Sequence, residues 1–317
     1  MSSGSQLVSE ASSAAEPTEP RARVSMPPAE VDALLEGLTD PPNKYVRYPL
    51  ARLLFRVARG LPFTPNQVSF FHGAIGIAAA FLVALGPARL FPLVFVLTEV
   101  RAILDCYDGV LARGKKLFTA NGRVIDEVSD AVSFVAISFG VAYRIHTWTA
   151  LVLCILTCEV SGIAAWAFDF FKRKLNSALR GGPDNGIVEL RPKHRAVQNK
   201  TADGLMRFSY WFDTMQVRVL SPRSREEIMA KVRDETLSAD STDMVNILAV
   251  ARKRPRYFRV ALRVLAVMTG DNSFTLFALG ILSGQLVLAQ TVTLAFSVVT
   301  VLLGVGFGRS LLRGSKV

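Results

Sequence analysis

Cysteine and histidine are scarce in this chain, with three of each among 317 residues. Cys106, Cys154 and Cys158 supply no disulfide framework. They read as small buried hydrophobes, the common fate of free cysteine. His72, His146 and His194 are scattered and predict no metal set. Aromatic residues are missing from residues 1–26, where Ser, Ala, Glu and Pro dominate. That stretch cannot bury a core and reads as a disordered tail, taken to extend over 1–42 with one short helix at 29–37. It also lacks the apolar run of a signal peptide. Acidic residues are outnumbered, 26 against 37 basic, for a formal charge of +11. Such an excess can mark a nucleic-acid binder. In a membrane protein it arises from cytoplasmic loops, and that reading is preferred, so no nucleic acid is expected.

Apolar residues are abundant. Half the chain is hydrophobic and the mean hydropathy is +0.33. Several apolar runs approach the roughly 20 residues that cross a bilayer. Spans are predicted at about 67–86, 90–112, 122–143, 148–171, 273–289 and 291–309. The fold class is therefore an all-α integral membrane protein of about six transmembrane helices. Before the first span, Leu50, Leu53, Leu54 and Val57 keep helical spacing, and Arg52, Arg56 and Arg59 take another face. This predicts an interfacial amphipathic helix. Residues 43–171 thus form one unit, interfacial helix plus four spans. Residues 172–256 read as a basic cytoplasmic loop, with 18 basic and 10 acidic residues. Residues 257–317 hold the last two spans and a C-terminal tail. The apolar cluster Leu205–Met215 within the loop fits a second interfacial helix or a small packed subdomain equally well. Charge asymmetry puts the loop, both termini and the break at 113–121 in the cytoplasm.

That break separates two halves of one pattern: Asp105, Asp108, Gly109, Ala112 and Arg113, then eight residues, then Gly122, Asp126 and Asp130. Spacings of three and four put each half on one helix face. Two antiparallel helices then bring four carboxylates together at a membrane edge. Such a cluster repels itself unless cations intervene. Two divalent ions resolve this, and oxygen ligands favour Mg²⁺ or Mn²⁺. Gly109, Ala112 and Gly122 leave room beside the backbone, and Arg113 offers a planar donor fork to a phosphate.

Residues 105–130 resemble the complete signature of the CDP-alcohol phosphotransferase family. Thr64–Ser69 resembles the segment that opens that family's first span, with Ser69 where threonine is common. The resemblance covers 43–171 well, 270–310 loosely, and not the tail or the 172–256 segment. It implies a six-helix enzyme, commonly a homodimer, that moves a phospho-alcohol group from a CDP-linked donor to an alcohol acceptor and releases CMP. It implies Asp105, Asp108, Asp126 and Asp130 as metal ligands and Asp130 also as general base. It implies Asn66, Asp108, Gly109, Ala112, Arg113 and Gly122 as the CDP site. The leading expectation is phosphatidyl transfer in phospholipid synthesis. The alternatives are a soluble CDP-alcohol donor or polyol-phosphate acceptor, a cation-coupled transporter, and an inactive binding protein.

Other charges carry expectations as well. Arg101 is expected to pair with Asp105 one turn on, or to touch an acidic ligand or the acceptor. Glu159 and Asp169 are candidate buried acids. Lys172, Arg173 and Lys174 are expected at lipid headgroups. Asp271-Asn272-Ser273 is expected to cap a helix, with an acceptor pocket as the other reading.

Overall fold

The computed structural model describes residues 26–117 and 122–314. Among them the regular structure is all helical, with no strand. The helices are α1 (Pro28–Glu36), α2 (Tyr48–Ala58), α3 (Pro65–Leu85), α4 (Phe91–Lys115), α5 (Gly122–Ile145), α6 (Trp148–Arg180), α7 (Asn185–Gln198), α8 (Gly204–Leu220), α9 (Arg225–Arg233), α10 (Thr242–Lys253), α11 (Pro255–Val267), α12 (Gly270–Leu282) and α13 (Leu286–Leu312).

Four of these are long and apolar enough to cross a membrane: α3, the Ile125–Ile145 part of α5, α6 and α13. The pair α11 and α12 qualifies as a fifth, bent by 48° at its break. α4 falls short on composition, because its 25 residues carry Glu99, Arg101, Asp105, Asp108, Arg113 and Lys115. It nevertheless packs against α3 and α12 inside the bundle. The predicted final spans were misplaced: α13 runs unbroken from Leu286, and the span before it begins in α11. Asn272 bridges that bend, donating to Thr269 Oγ1 at 2.9 Å and to the Ala266 carbonyl at 3.0 Å. Behind it, Ser161, Ser273 and Ser297 link their hydroxyls at 2.9 and 3.0 Å, joining α6, α12 and α13.

α3 starts at a capping box, in which Thr64 Oγ1 accepts from the Gln67 amide and Gln67 Oε1 accepts from the Thr64 amide. It then lies closely along α5. A Cβ on Gly76 would stand 2.3 Å from Ser133 Oγ, and one on Gly140 would stand 2.7 Å from the Ala80 carbonyl oxygen. Small residues let the two backbones meet in this way. α2 folds against the C-terminal end of α4, with Ala51 buried and Phe55 over Gly114. Its Leu50, Leu53 and Val57 remain exposed, as an interfacial helix requires.

The segment 172–256, expected as a loop, is mostly helical. At ~1.5 Å per residue α6 is about 50 Å long, so it extends roughly 20 Å past a ~30 Å hydrocarbon core. Its far end, closed at Gly181 with φ +66°, packs with α7–α10, the end of α13, and α1. The buried residues there include Leu175, Ile187, Leu190, Leu220, Ile228, Val232 and Ile247. Arg173 and Lys174 serve this unit rather than lipid headgroups. Arg173 pairs with Asp169 at 3.0 Å and Glu189 at 3.1 Å. Lys174 is buried against Asp184 and lies 3.4 Å from Asp243. α8 packs on α7 and α6 while Phe208 and Trp211 stay exposed. The proposed tail 1–42 also shortens: Val31, Leu38 and Asp40 are buried. Residues 1–25 lie outside the described residues, as do 118–121 of the break and the last three residues.

Candidate active site

The two carboxylate stripes meet as their spacing predicts, and a third helix joins them. Ligand atoms of Asp105 on α4, of Asp126 and Asp130 on α5, and of His72 on α3 all lie within 4.8 Å of one another. Asp108 lies beside them, its Oδ2 3.7 Å from His72 Nε2. Ser69, one turn before His72, donates its hydroxyl to Asp108 Oδ2 at 2.6 Å. The close α3–α5 approach explains why His72 reaches this cluster. Gly73 and Gly76 remove the bulk that would hold α3 away.

His72 was expected to play no metal role, and its position is the main feature that sequence reasoning missed. A signal existed: Asn66, Ser69 and His72 repeat every three residues, so they share a face with the segment that opens the first span. For Arg101 the second expectation, contact with an acidic ligand, is the one met. Arg101 pairs with Asp130 across the helix interface rather than with Asp105, and its guanidinium sits 4.4 Å over the Phe274 ring. Asp271 does not cap α12. Thr269 stands at the N-cap, while Asp271 accepts from Asn43 Nδ2 at 2.7 Å and lies 3.6 Å from Arg47 Nη1.

Arg47 anchors a second polar layer beside the carboxylates. It is fully buried, donating to Glu99 Oε1 at 2.8 Å and to Thr275 Oγ1 at 2.7 Å. Asp40 accepts from the Asn43 amide at 3.0 Å and from Asn43 Nδ2 at 2.9 Å. Burial, with the Asp271 charge behind it, pushes the Asp40 carboxyl up to about 6. This layer ties the approach to α2, α4 and α12 into one frame. Glu159, expected as a buried acid, is instead exposed on α6, outside that cluster.

Of the expected nucleotide contacts, Asp108 is buried and the others are more open. Arg113 is exposed, with Nη1 3.4 Å from the point a Gly109 Cβ would occupy. A side chain at 109 would therefore crowd the guanidinium. Gly109, Ala112, Gly122 and Asn66 are all half-buried.

The residues fit divalent cations. Asp126 Oδ1 and both nitrogens of His72 are buried with no hydrogen-bond partner, so a carboxylate oxygen and one imidazole lone pair are left unsatisfied in the cluster. Groups of this kind are costly without a ligand. The convergent oxygens are the donor set that hard divalent ions take.

Comparison with known proteins agrees. Residues 63–187 match the profile described as CDP-alcohol phosphatidyltransferase. A ceramide phosphoethanolamine synthase of Drosophila melanogaster is 33% identical over 119 residues, covering 33% of this chain and 30% of that protein. A phosphatidylinositol phosphate synthase of Corynebacterium glutamicum is 29% identical over 160 residues, covering 49% of this chain and 68% of that protein. The likeness therefore spans under a third of the fly protein and about two thirds of the bacterial one. No solved structure matches significantly. The intact eight-point pattern, its convergence in space and the matched profile make residues 63–187 similar to CDP-alcohol phosphatidyltransferases.

Proposed function

We propose that the chain is a membrane enzyme of phospholipid synthesis. It transfers a phospho-alcohol group, phosphatidyl in the leading version, from a CDP-linked donor to an alcohol and releases CMP. The observation that carries this is the convergence of Asp105, Asp126 and Asp130 beside Asp108, with Arg113 exposed near the end of the same helix as Asp105. The site faces the cytoplasm, as do both termini and the α7–α10 unit, and the working form is a homodimer. The relatives' products support a lipid-building role.

The donor's pyrophosphate enters past Arg113, whose fork suits a phosphate. Gly109, Ala112 and Gly122 leave it room beside the helices, and Asn66 flanks the nucleotide. Two Mg²⁺ or Mn²⁺ ions held by Asp105, Asp108, Asp126 and Asp130 would neutralise the pyrophosphate and stabilise the departing phosphate. The acceptor hydroxyl approaches Asp130, which takes its proton. The acceptor oxygen bonds to the phosphorus distal to cytidine as the bond to the bridging oxygen breaks, and CMP leaves with that electron pair. Arg101 keeps Asp130 oriented and ionised for the proton transfer.

A soluble CDP-alcohol donor with a lipid acceptor is the second reading. It is favoured by the likeness to a synthase whose product carries phosphoethanolamine on a ceramide. One experiment tests both. Purified protein is incubated with Mn²⁺ and either CDP-diacylglycerol or CDP-ethanolamine, together with inositol phosphate, inositol, glycerol phosphate, serine, diacylglycerol and ceramide. Products are identified by mass. CMP release with a new phosphodiester is expected. Metal-dependent ion flux without CMP release from any donor would move the chain to the transporter reading.

A further inference from the structure

His72 has no part in the transfer as written, yet it faces the carboxylates from the only helix of the three that carries no aspartate of the motif. Its side chain is fully buried and neither ring nitrogen has a hydrogen-bond partner. Nε2 lies 3.5 Å from Asp126 Oδ1 and 3.7 Å from Asp108 Oδ2, and Nδ1 lies 3.9 Å from Asp130 Oδ1. Good N–H···O bonds close to about 2.7–3.2 Å. Two donor atoms each ~2.1 Å from one ion stand about 3.0–3.5 Å apart, for octahedral to tetrahedral angles. The spacing of Nε2 and Asp126 Oδ1 is that of two ligands sharing an ion. Asp126 Oδ1 is itself buried and without a partner. Oxygen and nitrogen thus leave the same gap open from opposite helices.

We propose that His72 is a nitrogen ligand of the divalent metal centre, sharing an ion with Asp126. This rests on the metal-assisted transfer proposed above. The consequence is chemical. A site of oxygens alone suits Mg²⁺, whereas an imidazole shifts preference toward Mn²⁺ and later first-row ions. The glycines of α3 are what make it possible. Gly73 and Gly76 lie against Ser129 and Ser133, and a Cβ on Gly76 would force the helices apart and withdraw the ring.

The test reads the bound ion directly. Mn²⁺ is added to the purified full chain in detergent, and pulsed electron paramagnetic resonance records nuclei coupled to it. A ¹⁴N modulation is expected, changing to the ¹⁵N pattern when histidine is isotopically labelled. It should persist in the double variant His146→Gln/His194→Gln and vanish in His72→Gln. The preference for Mn²⁺ over Mg²⁺ in competition should fall by about tenfold or more in His72→Gln. Should that variant misfold, the labelled wild-type chain and the double variant decide alone. Bound Mn²⁺ without nitrogen coupling in the wild type overturns the His72 assignment and leaves the transferase reading standing. No Mn²⁺ binding at all overturns both.

Discussion

Arg101 of α4 is paired with Asp130 of α5, although Asp105 stands one turn along its own helix. The pair binds the two halves of the motif to each other. Among the described residues it also singles out Asp130, to which the Arg101 guanidinium is paired. A carboxylate held by a protein cation is less committed to a metal and stays ionised, the form a base needs before it takes a proton. Asp130→Asn is therefore expected to lower CMP release by about 10²–10⁴-fold, the usual weight of a general base. CDP-donor affinity should stay within a few-fold. Single-turnover CMP release and equilibrium nucleotide binding on the same preparation check this, and near-normal turnover would remove Asp130 from the role.

Ser69 offers a second handle. Its hydroxyl donates to Asp108 at 2.6 Å, and Asp108 is itself buried. Supporting bonds of this kind orient metal ligands, and their loss costs about 10–100-fold in metal affinity. Ser69→Ala should raise the Mn²⁺ concentration at half-maximal activity by that factor, with saturated turnover changed little. Ser69→Thr keeps the hydroxyl and should retain the wild-type metal requirement. Equal metal curves for Ser69→Ala and wild type would show that Asp108 needs no such support.

Much of this site was legible because helical spacing is a local property. Asp105 with Asp108, and Asp126 with Asp130, had to share faces once the segments were helices. For Arg101 the favoured partner was Asp105, and the other reading, an acidic ligand, is the one the structure holds. Spacing within a helix lists only intrahelical neighbours, and a long guanidinium can reach the next helix instead. His72 was missed for a related reason. Its place depends on how closely α3 lies on α5, which small residues on both helices decide together. The 172–256 segment misled through its polarity. Ile187, Leu190, Ile228, Val232 and Ile247 are thinly spread among charges, and only tertiary packing gathers them into a core.

The α3–α5 contact yields a reciprocal test. A Cβ on Gly76 would stand 2.3 Å from Ser133 Oγ and 2.5 Å from Ser133 Cβ. Overpacking of this sort costs about 1–3 kcal/mol. Gly76→Ala should lower the thermal midpoint in detergent and weaken Mn²⁺ binding, because His72 moves with α3. Adding Ser133→Gly removes the clashing atoms and should recover most of both losses. Two losses that simply add would mean the helices are not held apart by this contact.

Asp40 predicts a pH effect outside the membrane spans. Its carboxyl is raised to about 6 by burial and then by Asp271, above the ~3.9 of an unfolded aspartate. The folded state therefore holds a proton that the unfolded chain releases. The associated stability is complete below about pH 4 and is lost as pH rises through 6. The thermal midpoint of the wild type should fall across that window. Asp40→Asn, which stays neutral, should show a flatter profile. Parallel profiles for the two proteins would mean that Asp40 ionises freely in the folded chain.

Lys174 tests whether the α7–α10 unit can loosen without the catalytic helices. It is buried between Asp184, which caps α7, and Asp243 in the first turn of α10, and it also donates to Ser241 Oγ at 3.4 Å. Asp243 in turn accepts from Ser221 and Ser224, both at 2.6 Å. One ammonium thus neutralises two carboxylates and joins α6, α7 and α10. Lys174→Met keeps the volume but leaves both acids buried and uncompensated, at a cost of about 3–5 kcal/mol. Because Lys174 lies on the part of α6 that extends past the bilayer, the cost should fall locally. Hydrogen exchange should accelerate in α7 and α10 while the amides of α3, α4 and α5 keep their protection. A triple variant with Asp184→Asn and Asp243→Asn removes the stranded charges and should restore part of the loss. Uniform acceleration across all helices would mean instead that the extramembrane unit and the catalytic bundle unfold as one.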